Sequence, residues 1–371
     1  MNLNYLEPQG GKSFNPYTKY LYKQRVDTLA RALKTQGFFT TALHNYQGEF
    51  FYRKDVYQNL GFDCFIPYEL MSGVEKRNGK IWANDSIFVS QFEQIFAHSS
   101  AEKNFIFSVT VQLHGNYPSI DKENYCMDIQ GIEDEDLCGQ IAYYVNELEA
   151  VDKAIEAIVC YFEAKNEPTY ILFYSDHLPK FARYTKGFDA ADRYYVSYFS
   201  WNNMNLPKED EDLELYRLST KLLNTVGLQG NVINQFHNVY GSSENYRELL
   251  SDLQVYKFFH EHSDPAYAEY YANEDYTIGA APLQIDSITW KATEGAYELK
   301  GSGFTENVWL CVNDVRLKDK SNGFLEYVDA NTMILRNYKG TLSSKDRLVL
   351  QVVGEKYGEV LKTSPVFTPS D

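Results

Sequence analysis

Along the first two-thirds of the chain, stretches with an apolar residue every three or four positions alternate with short, nearly continuous apolar runs. "LYKQRVDTLARALKTQG" (21–37) puts Tyr22, Val26, Leu29 and Leu33 on one helical face, and Gly37 supplies a stop. "FFTTAL" (38–43) then predicts a buried strand ending at His44. "NFIFSVTVQL" (104–113) predicts a second, ending at His114. Over 142–163, Tyr144, Leu148, Val151, Ile155, Ile158 and Phe162 mark a long amphipathic helix. It leads into "YILFYS" (170–175), a third strand, which stops at Asp176-His177. "RYYVSYFSW" (193–201) predicts a further strand, and the acidic run "KEDEDLE" (208–214) either caps the next helix or stays solvated. Helices alternating with apolar strands predict an α/β sheet covered on both faces.

Near residue 280 the period shortens. "AYELKG", "NVWLCVND", "TMILRN" and "DRLVLQVVG" alternate apolar and polar positions and are separated by turn residues, as in a small β-sandwich. "GAAP" (279–282) reads as a linker, which divides the chain into 1–278 and 283–371. "IDSITW" followed by "LKGSGF" resembles the opening of the immunoglobulin-like IPT/TIG module.

If the first three strands are parallel, their C-terminal ends lie on one edge of the sheet, where open α/β folds bind ligands. His44, His114, Asp176 and His177 would then converge in one cleft. The adjacent carboxylate and imidazole suit a divalent cation, with Mn²⁺, Mg²⁺ and Zn²⁺ all compatible. Arg53 offers a planar fork of donors to phosphate oxygens, and Lys54 adds a point charge. His98, His237, His260 and His262 lack this placement and read as structural or surface residues. The formal charge of −16 argues against a nucleic-acid groove, though a few local cations can serve a small phosphorylated substrate. Cys126 and Cys138 could pair across a loop, but five scattered cysteines without a CxxC pattern read better as free thiols. The chain has no run of ~18 apolar residues, and "MNLNYLEPQGGKSF" lacks the regions of a signal peptide.

"TALHNYQGEFFYRKDVYQNLGFDCF" (41–65), "VTVQLHGNYP" (109–118) and "ILFYSDHLP" (171–179) resemble, in order and spacing, the lipoteichoic acid synthases and related phosphoglycerol transferases. These belong to the sulfatase branch of the alkaline-phosphatase-like superfamily. The resemblance implies a three-layer α/β fold. It also implies extracytoplasmic transfer of glycerol phosphate from phosphatidylglycerol to a cell-envelope polymer, beside one divalent cation, Mn²⁺ first. By the same resemblance Asp176 and His177 would be metal ligands, and His44, Arg53, His114 and Phe51 would contact the substrate. Phe51 stands where several members have Trp, and Tyr46 where some have Asp.

Family members place a metal-binding Glu and a nucleophilic Thr, in a "TEFEVLT"-like segment, ahead of the region matched here. None of Thr18, Thr28, Thr35, Thr40 and Thr41 sits in that context. The expectation is therefore an N-terminally incomplete sulfatase-like fold, without a catalytic nucleophile and inactive by itself. Possible partners are the lipid head group, a wall polymer and the missing N-terminal part. A catalytically dead binding module and a phosphodiesterase or sulfatase-like hydrolase are the alternatives.

Overall fold

The computed structural model describes residues 15–76, 82–181, 194–271, 275–317 and 322–370. Its elements follow in the order α1 (Leu29–Lys34), β1 (Phe38–His44), α2 (Arg53–Asn59), β2 (Cys64–Pro67), α3 (Phe88–His98) and β3 (Lys103–Val109). Then come α4 (Glu135–Lys165), β4 (Tyr170–Tyr174), β5 (Tyr198–Asn202), α5 (Leu218–Val226), α6 (Val232–Tyr240), α7 (Tyr246–Phe259) and β6 (Thr277–Ile278). The predicted helix over 21–37 is shortened to α1, because the Thr28 side chain caps it by accepting from the Arg31 amide. Val26 and Leu33 are nonetheless buried. The long helix extends to both sides of its predicted span, from an Asp134 cap to a left-handed Asn166.

A parallel sheet is ordered β3-β1-β2-β6. His44 pairs in register with Pro67 on one side and Val109 on the other, so three strands end level with one another. Alternate side chains of β1 and β2 enter two cores. Leu43, Cys64 and Ile66 face a cluster with α3 and α4 residues, while Ala42 and Phe65 face one with Val56, Tyr57 and Phe258. Burial on both faces explains why these strands read as continuous apolar runs. Asp63 ties β1 to the start of β2. Its Oδ2 accepts from the Thr40 amide (2.8 Å) and hydroxyl (2.9 Å), and Oδ1 pairs with Lys34 at 2.7 Å.

The third predicted strand corrects the expectation. Among the described residues β4 does not join the parallel sheet; it pairs antiparallel with β5, from Tyr170↔Asn202 to Tyr174↔Tyr198. The physical reason is cross-strand complementarity: Phe173 stacks on Phe199 at 4.8 Å, and Ile171 lies opposite Trp201. Asp176-His177 therefore leaves a hairpin strand, not the sheet edge that carries His44.

From residue 284 onward all named strands are antiparallel. β7 (Gln284–Lys291), β8 (Ala296–Ser302), β9 (Val308–Val312), β10 (Val315–Arg316), β11 (Phe324–Asp329), β12 (Thr332–Arg336), β13 (Leu348–Val353) and β14 (Val360–Thr363) form two four-stranded sheets, β11-β12-β8-β7 and β10-β9-β13-β14. Their inner side chains, among them Leu299, Leu310, Leu335 and Leu350, belong with Phe304 of the β8–β9 connection to the same buried cluster as Leu43 and Ile66. All five cysteines are free, including Cys126 and Cys138.

Because that cluster crosses residue 280, Leu43→Ala in β1 and Leu350→Ala in β13 should each cost about 2–5 kcal/mol and should lower one common calorimetric transition. Two transitions, each moved by only one of the variants, would instead place a folding boundary at 279–282.

Candidate functional site

His44, the last residue of β1, is 3% exposed. Burial first, then the nearby Arg53 charge, holds its imidazole well below the usual histidine range, so the ring is neutral. Its Nδ1 is buried without a hydrogen-bond partner. The chain then turns through 45–52 before α2 begins at Arg53. Phe51 and Tyr52 both adopt left-handed backbone (φ 57° and 56°), a conformation that costs about 1 kcal/mol or more per non-glycine residue. Tyr52 is held there by stacking on Tyr22 at 4.6 Å.

Arg53 is buried, and burial lowers its pKa. Its Nη1 donates to the Gln47 carbonyl at 2.9 Å, and the guanidinium lies 5.4 Å from the Tyr46 ring centre and 5.1 Å from that of Phe50. No carboxylate of the described residues forms an ion pair with it. Phe51 sits farther out, 6.0 Å from the guanidinium and partly exposed.

Trp82 carries the link to His114. Its ring packs 5.2 Å from Tyr46 and 5.0 Å, edge-on, from the exposed His114, and its Nε1 donates to the Gly115 carbonyl at 3.2 Å. No local pattern singles out Trp82, and its one signal is a lone Trp in the polar stretch "WAND". His44, Arg53, His114 and Phe51 are thus brought together around Tyr46 and Trp82.

Asp176 and His177 are tied to the His114 loop only indirectly. Three residues beyond His114, Tyr117 packs 5.1 Å from Phe181 and lies under Lys180, which joins the two loops. Tyr174, pushed up to about 12 by desolvation, also feels the charges of Tyr17 and Asp176, and Tyr17 feels that of Arg53. The pair itself is open to solvent, with side chains 83% and 63% exposed and His177 Nε2 3.6 Å from Asp176 Oδ1. An adjacent oxygen and nitrogen donor suit a divalent cation. Among the described residues, however, no group of three His, Cys, Asp or Glu side chains is placed to hold one. The two donors alone do not make a metal shell.

Beneath the loop, two carboxyls are buried. Glu69 accepts from the Gly48 amide at 3.0 and 3.2 Å. Asp85 accepts from Asn45 Nδ2 at 2.8 Å and donates its amide to Gln112, which in turn donates to Glu147 at 3.0 Å. Burial pushes the pKa of both Glu69 and Asp85 up to about 7.

The sequence pattern described as Sulfatase matches residues 6–228, more than half of the chain. The chain belongs to the sulfatase family. This sulfatase-family chain is 18% identical to the phosphoglycerol transferase GacH of Streptococcus pyogenes, solved in complex with sn-glycerol-1-phosphate. The TM-score is 0.51, over 70% of this chain and 72% of that one. It also aligns with the lipoteichoic acid synthase LtaP of Listeria monocytogenes at 16% identity and a TM-score of 0.45, over 59% of this chain and 56% of that one. A candidate cyclic beta-1,2-glucan modification protein of Rhizobium meliloti (strain 1021) is 27% identical over 164 residues, 44% of this chain. The match spans a quarter (25%) of that curated relative's length. The likeness to GacH establishes the fold: the parallel sheet is an alkaline-phosphatase-like α/β core, followed here by antiparallel sheets. No described helix is long and apolar enough to cross a membrane.

The raised carboxyls give a pH test. Between about pH 4 and 7 the folded chain holds protons on Glu69 and Asp85 that the unfolded chain has released, so these groups make stability fall as pH rises through that window. Glu69→Gln with Asp85→Asn should flatten the slope, by up to about 4 kcal/mol between pH 5 and pH 7. Urea midpoints measured at pH 5 and pH 7 check it.

Proposed function

We propose that the pocket around Arg53 binds the phosphate of a phosphoglycerol group and that the chain provides the recognition side of a phosphoglycerol transferase. The observation that carries this reading is a buried guanidinium with no carboxylate ion-pair partner among the described residues, in a chain of formal charge −16. A buried charge is costly unless it is paired, so an anion is the natural complement of Arg53. A planar guanidinium can grip two phosphate oxygens at once. The neutral His44 can donate to a third oxygen or accept from a glycerol hydroxyl, and His114 and Phe51 close the outer rim. Tyr46, beside the guanidinium, offers a phenolic hydroxyl to glycerol.

The donor would be a phosphatidylglycerol-type head group, and the acceptor a cell-envelope polymer at the outer face of the cytoplasmic membrane. GacH's complex with sn-glycerol-1-phosphate supports glycerol phosphate as the recognised group. Asp176 and His177 would help hold a divalent cation, Mn²⁺ ahead of Mg²⁺ and Zn²⁺, together with donors beyond the described residues. Such an ion would stabilise charge on the transferring phosphoryl group. The incomplete donor set also favours a second reading, in which the chain binds phosphoglycerol without turning it over.

Titration calorimetry with sn-glycerol-1-phosphate tests the first step. Arg53→Ala should weaken binding about 10–100-fold, the size expected for losing hydrogen bonds to a charged group. Arg53→Lys should recover only part of it, because an ammonium cannot reproduce the fork. Unchanged affinity in Arg53→Ala would overturn the assignment. Mn²⁺-dependent release of phosphoglycerol from phosphatidylglycerol then separates the transferase reading from the binding module.

A further inference from the structure

The loop that carries the proposed phosphate site is gripped from the far end of the chain. Glu49, midway between His44 and Arg53, is 2% exposed. Its carboxylate accepts three backbone amides from the turn between β13 and β14: Oε1 from Lys356 and from Tyr357 (2.6 Å), and Oε2 from Glu359 (3.2 Å). Gly354 lies so close that a Cβ there would collide with this carboxylate. The flanking positions are held by the same turn. Gln47 Nε2 donates to Glu355 at 3.3 Å, Lys356 Nζ lies 4.9 Å from the Phe50 ring centre, and Lys54 pairs with Glu359 at 2.9 Å.

We propose that Glu49 is a positioning residue, through which the 354–359 turn of the β-rich C-terminal part holds the phosphate-binding loop in its strained, binding-ready form. The proposal rests on the phosphoglycerol reading for its ligand. Phe51 and Tyr52 occupy backbone states that non-glycine residues leave readily unless their surroundings hold them. The carboxylate at Glu49, one residue before Phe50, is fixed by three charge-assisted bonds to a separate part of the chain. Released from them, the loop can relax and carry Arg53 and its neighbour Tyr46 out of register. The C-terminal sheets are then a component of the site, and ligand binding and the turn stabilise each other reciprocally. Simple packing between the two parts would be served equally well by apolar contacts. A buried carboxylate that collects three amides instead fixes one geometry.

The test uses the full chain, with hydrogen exchange and sn-glycerol-1-phosphate calorimetry on wild type, Glu49→Gln and Gly354→Ala. The second variant attacks the same contact from the opposite side, and Glu49→Asp serves as the conservative rescue. The expected result is exchange at least tenfold faster at the amides of 50–53 and 356–359, no change in β1 or β8, and affinity about tenfold weaker. Glu49→Asp should recover part of both effects. In wild type, the ligand should slow exchange at 356–359. Unchanged exchange at 50–53 in both folded variants would overturn the proposal, and so would faster exchange with unaltered affinity. If wild type binds no sn-glycerol-1-phosphate, the phosphoglycerol reading fails separately. Exchange at 50–53 then still decides the latch, upheld if faster in both variants and overturned if not.

Discussion

A buried polar loop has to find its hydrogen bonds inside the protein, and the segment from His44 to Arg53 is such a loop. It leaves the end of a strand that is covered on both faces, so His44, Asn45, Gly48, Glu49 and Arg53 are all withdrawn from water. Each needs a partner from elsewhere. Glu69 takes the Gly48 amide, Asp85 takes the Asn45 side chain, and the 354–359 turn satisfies Glu49. Gly48 has no room for a side chain, since a Cβ would lie 2.7 Å from Pro67 Cβ and 3.3 Å from Leu361 Cδ1. The position of Arg53 follows from this set of obligations more than from the strand that precedes it.

The same burial sets the electrostatics. Desolvation keeps His44 neutral and leaves Glu69 and Asp85 with a raised affinity for protons, while Arg53, which cannot shed its charge, stays cationic. The loop thus sets one permanent positive charge beside a neutral imidazole and aromatic walls, while its one carboxylate, Glu49, is taken up by the 354–359 amides. In a protein of strongly negative net charge, that local inversion makes an anion site possible without a basic surface.

At the Asp176-His177 pair the restraint is weaker. Asp176 and His177 follow a hairpin strand whose backbone bonds go to β5, and their connection to the His114 loop runs through Tyr117 and Phe181. Exposed donors on such a segment can adjust to a ligand, whereas Arg53 and His44 cannot. The buried Arg53 and His44 are therefore held more rigidly than the exposed Asp176-His177 pair.

Much of this was legible locally. Apolar runs buried on both faces marked β1 and the parallel sheet, the shorter period past 280 marked the antiparallel strands, and an Arg nine residues after a strand-terminal His marked one side of the pocket. These features depend on neighbours close in sequence, or on a face that periodicity alone reveals. Other features depended on contacts that no local pattern encodes. Tyr170–Tyr174 has the same composition whether it pairs within a parallel sheet or with 198–202, and only the available partner decides. Trp82 joins Tyr46 to His114 across segments distant in sequence. Glu49 reads as a surface acid until the 354–359 turn folds over it, more than 300 residues away. Sequence determined which segments bury themselves; tertiary structure decided which polar groups they took with them, because a buried charge takes its meaning from its partners.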